Sequence, residues 1–168
     1  MESIKVKIKG VSPLLMNKYN MDGDKSKKKV DIYNKEDDVI DAVYYDEKIG
    51  YYAPSTWIES SIREAAKSFK AKGKRTLKET VVATTFCEEE KIPLNKKYDE
   101  IDSRFARIQR NGIIKHRPRW NTWELEFTLT FDPDRMSKET LLEIVSEAGK
   151  VKGIGDYRPK FGRFKVVE

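Results

Sequence analysis

Residues 150–168 read KVKGIGDYRPKFGRFKVVE, and the fold turns on how that ending is read. Gly153, Gly155 and Gly162 alternate with Lys152, Arg158, Lys160 and Arg163, and Tyr157 and Phe161 sit among them. Phe164 and Val166 then alternate with Lys165 and Val167, the period of a strand with one face on a core. Glycine lets a backbone approach a ligand closely and aim its N–H groups outward. Basic side chains neutralise phosphates, and aromatic rings offer faces for bases. A glycine-rich basic loop feeding a closing strand therefore suggests a grip on a polyanion. The same residues also suit a solvated loop whose glycines only permit turns, so the rest of the chain has to decide.

Charge is the first arbiter. The net charge of +6 conceals three basic blocks. Residues 67–78 carry six Lys/Arg and no acid, residues 104–119 also carry six and no acid, and residues 150–165 carry six against Asp156 alone. The remainder of the chain is therefore acidic. If folding brings the blocks onto one face, that face is an electrostatic footprint for nucleic acid; if they point apart, they are ordinary solubilising surface.

Length and composition fit a single domain over residues 1–168 with a sizeable core, since aromatics make up 11% and hydrophobics 38% of 168 residues. One cysteine, Cys87, leaves no internal disulfide framework and fits a reducing compartment. No apolar run approaches 18 residues and MESIKVKIKG has no signal-peptide pattern, so the expectation is a soluble, cytoplasmic protein with no membrane partner.

Walking back toward the N-terminus, Ile4, Val6 and Ile8 alternate with Lys5, Lys7 and Lys9, a half-buried strand with a basic outer face. Residues 17–38 are polar and mixed in charge and read as a flexible insertion or a loop that orders on binding. Tyr44–Tyr45 and Tyr51–Tyr52 flank a turn, a short hairpin. Pro54 begins a helix with Thr56 and Glu59 at capping-box spacing, and Trp57 or Ile58, Ile62, Ala65 or Ala66 and Phe69 recur at helical intervals. Residues 79–87 (ETVVATTFC) are β-branched and read as a strand. Residues 104–119 read as a basic hairpin around an Asn111–Gly112 turn. Trp123, Leu125, Phe127, Leu129 and Phe131 form the clearest strand, and Ser137 can cap a second helix with Leu141, Ile144 or Val145, and Ala148 inward. The order strand, helix, strands, strand, helix, strand predicts an α+β fold. It is a ferredoxin-like or RRM-like antiparallel sheet with two helices on one face, plus the basic hairpin and the insertion.

Three segments carry a family resemblance: VSPLLMN after the first strand, YYAPSTWIESSIREAA, and GIGDYRPKFGRFKV. In this order they resemble the RAMP superfamily, the RRM-like CRISPR-associated backbone and crRNA-processing subunits, or a short phage-encoded relative. The resemblance covers about a third of the chain. Ala53-Pro54-Ser55-Thr56 departs from the family's usual Pro-Gly-Ser start. It implies an RRM-like fold and single-stranded nucleic-acid binding, RNA or DNA.

The residues themselves offer two chemistries. Arg104, Ala106, Ile108 and Arg110 share one side of a strand while Phe105, Arg107 and Gln109 share the other, so not every arginine can face one ligand. The candidate nucleic-acid-binding residues are Lys72, Lys74 and Arg75 in the first block. In the second they are Arg104, Arg107, Arg110, Lys115, His116, Arg117, Arg119 and Trp120. In the third they are Gly153, Gly155, Tyr157, Arg158, Lys160, Phe161 and Arg163. Trp120, Tyr157 or Phe161 would stack on bases. His116, the only histidine, could instead deprotonate a ribose 2′-hydroxyl, the alternative of a metal-independent crRNA-type endoribonuclease. Its plainer role is a stacking or hydrogen-bonding residue. One Cys and one His cannot complete a zinc site, and Asp37, Asp38 and Asp41 read more simply as a solvated run than as a Mg²⁺ site. The expectation is a non-catalytic single-strand binder with no cofactor or metal, self-associating along the strand. A guide-RNA backbone subunit or a protein-assembly subunit remains as a further reading.

Overall fold

The chain order in the computed structural model, which describes residues 1–18 and 35–167, begins with β1 (Glu2–Gly10), β2 (Leu14–Leu15), α1 (Lys35–Ala42), β3 (Tyr45–Asp46) and β4 (Gly50–Pro54). It continues with α2 (Ser55–Ala65), a 3-10 turn at Ala66–Ser68, α3 (Lys78–Thr84), β5 (Phe86–Cys87) and β6 (Lys91–Pro93). The hairpin strands β7 (Glu100–Ile108) and β8 (Asn111–Trp120) follow, then β9 (Glu124–Phe131), α4 (Lys138–Val151) and β10 (Phe164–Val166).

The main sheet has the strand order β10-β1-β9-β5, antiparallel at every junction. With α2 between β1 and β5 and α4 between β9 and β10, this is the split βαββαβ arrangement of a ferredoxin-like fold. Alternation explains it. Ile4, Val6 and Ile8 of β1 and Leu125, Phe127, Leu129 and Phe131 of β9 are buried on one face. Ile58, Ile62 and Ala65 of α2 and Leu141, Ile144, Val145 and Ala148 of α4 are buried in the same core. A register slip of one residue would turn all seven strand side chains to the other face.

On the opposite face Lys5 Nζ pairs with Glu126 at 2.5 Å and Lys7 with Glu124 at 3.5 Å, so two of the three β1 lysines expected to form a cationic face are neutralised across the sheet, while Lys9 stands opposite Lys165. Thr128 donates its N–H and hydroxyl to Glu89.

Several local expectations are corrected. Residues 78–84 form helix α3, and only Phe86–Cys87 is strand. Val81 and Thr84, one turn apart, are buried, and the Thr84 hydroxyl bonds back to Thr80 O, so packing overrides β-branched propensity. The Thr56–Glu59 capping box does not form; α2 starts without a side-chain cap, and Glu59 instead accepts the Cys87 N–H at 3.0 Å. Ser137 does cap α4, accepting the Thr140 N–H at 3.2 Å. Of the insertion read over 17–38, residues 35–38 open α1 and residues 19–34 lie outside the described residues. Among the described residues no helix is long and apolar enough to cross a membrane.

The glycine loop closes on the chain that leaves β1. Gly162 N–H donates to Pro13 O, Asp156 N–H to Leu15 O, Val11 N–H to Arg163 O and Arg163 N–H to the Ser12 hydroxyl. Gly162 has φ of +79°, and a Cβ there would fall 1.7 Å from Ile154 O; a Cβ on Gly155 would fall 2.6 Å from Leu15 O. These glycines are required by contact with the protein's own backbone. Gly162→Ala should therefore cost about 2–4 kcal/mol, combining left-handed strain with a backbone clash. Gly73→Ala, where φ is +78° but nothing lies within 4 Å, should cost only about 1 kcal/mol. Urea denaturation midpoints of the two variants check the difference.

Candidate nucleic-acid interface

The β7–β8 hairpin sets the interface. Its register pairs Glu100 with Arg119, Asp102 with Arg117 and Arg104 with Lys115 on one face. The other face pairs Ile101 with Pro118, Ser103 with His116 and Phe105 with Ile114. The turn is at Gln109–Arg110, both at positive φ (49° and 73°), not at Asn111–Gly112 as the Asn-Gly signature predicted. A turn at 111–112 would set Arg104 opposite Arg119. The observed register sets acids opposite arginines, a preference worth more than ideal turn chemistry.

Onto the arginine-bearing face folds the glycine loop. Arg104 Cζ lies 4.7 Å from the Phe161 ring centroid and 5.2 Å from that of Tyr157. Arg119 lies 5.5 Å from Phe161 and Arg117 5.9 Å from Tyr157. The two rings are 5.6 Å apart. Such guanidinium–ring contacts are attractive at these separations. Three carboxylates balance the three guanidiniums, Glu100 lying 3.3 Å from Arg119. Asp102 accepts from Arg104 Nε at 2.7 Å and from Arg119 at 3.2 Å, and Asp156 accepts from Arg117 Nε at 2.5 Å. Asp102 is buried, so these bonds are made in a reduced dielectric.

The structure thus brings the second and third basic blocks together and divides their cations into two sets. Arg104, Arg117 and Arg119 are consumed in holding the loop. Arg107, Arg110, Lys115, Arg158, Lys160 and Arg163 have no carboxylate at ion-pair distance among the described residues. Lys115 stands directly across from Arg104, and Arg158 lines a shallow groove with Lys152, Gly155 and Tyr157, whose two lining acids, Glu64 and Asp156, are paired with Lys67 and Arg117. Tyr157 keeps 48% of its surface exposed beside them. Arg107 projects from the other hairpin face, next to Phe105, which is 68% exposed.

Several predicted contacts are corrected. Trp120 is 0% exposed, packs edge-on against Tyr51 and Tyr98, and donates its indole N–H to Lys96 O, so it is core and offers no stacking face. His116 is 3% exposed with Nδ1 2.7 Å from the Ser103 hydroxyl, too enclosed to reach a ribose hydroxyl or stack on a base. Phe161 is buried under Arg104 and Arg119. Gly153 packs against Gly162 and Gly155 against Leu15. Lys72 and Arg75 line a different concavity and share no lining residue with the Tyr157 groove; Lys74 lies in the same 67–78 block. Sequence reading missed Asp102 and Asp156, the acids that select which arginines are available. Their signal was present only as the few carboxylates near the basic blocks.

Among the described residues no group of three His, Cys, Asp or Glu side chains is placed to hold a metal ion. Burial, with Glu89 nearby, pushes the Cys87 thiol up to about 12.

No family model matches the chain, and no curated protein does. A solved structure described as a Cas6 product complex is similar over 97% of this chain and 50% of that one, with 10% identity and a TM-score of 0.33. This chain spans about half the length of that protein. The segments that carry the RAMP resemblance lie on the β1–β2 connection, the start of α2 and the glycine loop, and the first and third interlock through the hydrogen bonds above.

Asp102→Ala leaves Arg104 without its acid and Arg119 with Glu100 alone. It should cost about 1–3 kcal/mol, less than a fully buried pair because both guanidiniums are partly solvated, read as a lower urea midpoint. Iodoacetamide should modify Cys87 at pH 8 at least about a hundredfold more slowly than a free thiol, because only the thiolate reacts, as followed by mass spectrometry. Rapid labelling of the folded protein would contradict that burial.

Proposed function

We propose that this protein binds single-stranded nucleic acid, without cleaving it, along the glycine-loop groove that holds Tyr157 and Arg158, beside the β7–β8 hairpin on which the loop packs. The observation that carries the reading is the sorting of cations: Arg104 and Arg117, tied by Asp102 and Asp156, hold Tyr157, and Arg119 holds the neighbouring Phe161. Unpaired Lys115, Arg158 and Lys160 stand on the same two segments. A half-exposed ring with free cations beside it gives stacking plus phosphate neutralisation, the combination that holds single strands with little regard to sequence. Base-edge readout is not part of the proposal.

The open sheet face, which many RRM domains use through exposed aromatics, is a weaker rival here because Lys5 and Lys7 are matched by Glu126 and Glu124, leaving Lys9 and Lys165 at its edge. The cleavage alternative lacks an accessible histidine in this groove. Self-association along a bound strand belongs to the same proposal, and would give cooperative titrations.

Fluorescence anisotropy with dT and rU oligomers at two salt concentrations tests it. The logarithm of the affinity should fall with log[salt] by about 0.7 per phosphate contact. Tyr157→Ala should weaken binding by about five- to a hundredfold, the worth of one stacked base. Arg158→Glu with Lys160→Glu should weaken it further and flatten the salt slope. Affinity that ignores salt, or survives these changes, overturns the reading.

A further inference from the structure

The first basic block does not join the groove, and its position has a use of its own. Lys70, Lys72 and Arg75 leave the end of the α2 region and, with Arg135 from the turn before α4, line an open concavity floored by Leu77, Ala83 and Met136. Glu79 is the one acid on its wall, and Thr76 and Thr80 add hydroxyls. Lys67, one turn earlier, is tied to Glu64 at 2.5 Å. Lys70, Lys72, Lys74 and Arg75 have no carboxylate at ion-pair distance among the described residues, and Arg135 reaches only Asp132, at 3.4 Å on an exposed turn. A helix-dipole explanation covers Lys67, in the last turn of the helical segment, but not the cations of the loop beyond it. Cations left unmatched while their neighbours are matched mark a surface built to receive negative charge from outside.

We propose that this concavity is a second phosphate-backbone site, taking the continuation of a strand whose other part lies in the Tyr157 groove. Its chemistry favours phosphodiester over an aromatic-anchored ligand: lysine ammoniums, two guanidiniums and threonine hydroxyls are donors for phosphate oxygens, and the lining carries no aromatic ring for a base. It should therefore add affinity and salt dependence without adding base preference. The proposal rests on the single-strand reading above, and the experiment separates the two.

A hexanucleotide stacked at ~3.4 Å per residue spans about 20 Å, and a 30-mer about 100 Å; the protein's radius of gyration is about 15 Å for its length. The 30-mer can reach both sites, and the hexamer fits one. The triple variant Lys70→Glu/Lys72→Glu/Arg75→Glu, all exposed positions, is titrated with dT hexamer and dT 30-mer beside Arg158→Glu/Lys160→Glu, with circular dichroism to confirm folding. The expected result is hexamer affinity within twofold of the parent protein, 30-mer affinity at least tenfold weaker, and a salt slope about 2 units shallower for the 30-mer. Unchanged 30-mer affinity would overturn the second site. Equal losses for both lengths would also overturn it, by making the concavity part of one continuous site. Loss in the triple variant with no effect of Arg158→Glu/Lys160→Glu would leave this site standing and remove the groove. No binding of either length by the parent protein would remove both.

Discussion

The structure depends on one close approach, the passage of the glycine loop across the chain that leaves β1. Backbone meets backbone there with no room for a Cβ: Gly162 against Ile154 O and Gly155 against Leu15 O. Hydrogen bonds from residues 156, 162 and 163 fasten the loop to Ser12, Pro13 and Leu15. Because β2 pairs with β8, Leu14 opposite Trp120, the same stretch also ties the hairpin to the main sheet. The loop, the β1–β2 connection and the hairpin are thus held as one unit, and that unit is what places aromatic rings beside arginines far away in sequence.

Within that unit, charge is divided by its partners. A basic segment is usually counted as a sum, yet the sum overstates what is available. Asp102 and Asp156 commit three guanidiniums to structure, where buried hydrogen bonds and ring contacts make them costly to recruit for a ligand. Unpaired lysines and arginines stand on the hairpin, on the glycine loop and in the 67–78 block. Lys5 and Lys7 undergo the same accounting on the open sheet face, where Glu126 and Glu124 of β9 cancel them. Although the chain holds 34 basic residues, the two regions argued above from unpaired cations among the described residues are compact.

The fold was legible where alternation or caps were strong. The β9 pattern from Leu125 to Phe131, the β1 pattern, the Tyr45–Tyr51 hairpin and the Ser137 cap all follow from local sequence, and together they dictate the sheet order. It was not legible where long-range contacts outweighed local preference. Residues 79–84 prefer strand by composition but fold as a helix, and Asn111–Gly112 yields the turn to Gln109–Arg110 so that Asp102 can face Arg117. The site was half legible. Basic blocks and Tyr157 could be named from sequence, which set all three blocks on one face, whereas the first block lines a separate concavity. Which aromatic was core could not, because Trp120 beside two arginines in sequence points the other way in space, toward Tyr51 and Tyr98. The glycines were read as making room for a ligand, whereas they make room for the protein itself.

Photocrosslinking tests the central claim most directly. With a 5-bromo-deoxyuridine 12-mer and peptide mapping by mass spectrometry, the account predicts adducts on the glycine-loop peptide that contains Tyr157, reduced by added salt. Adducts confined to the open sheet face of β1 and β9, or none at concentrations that saturate binding, would contradict it.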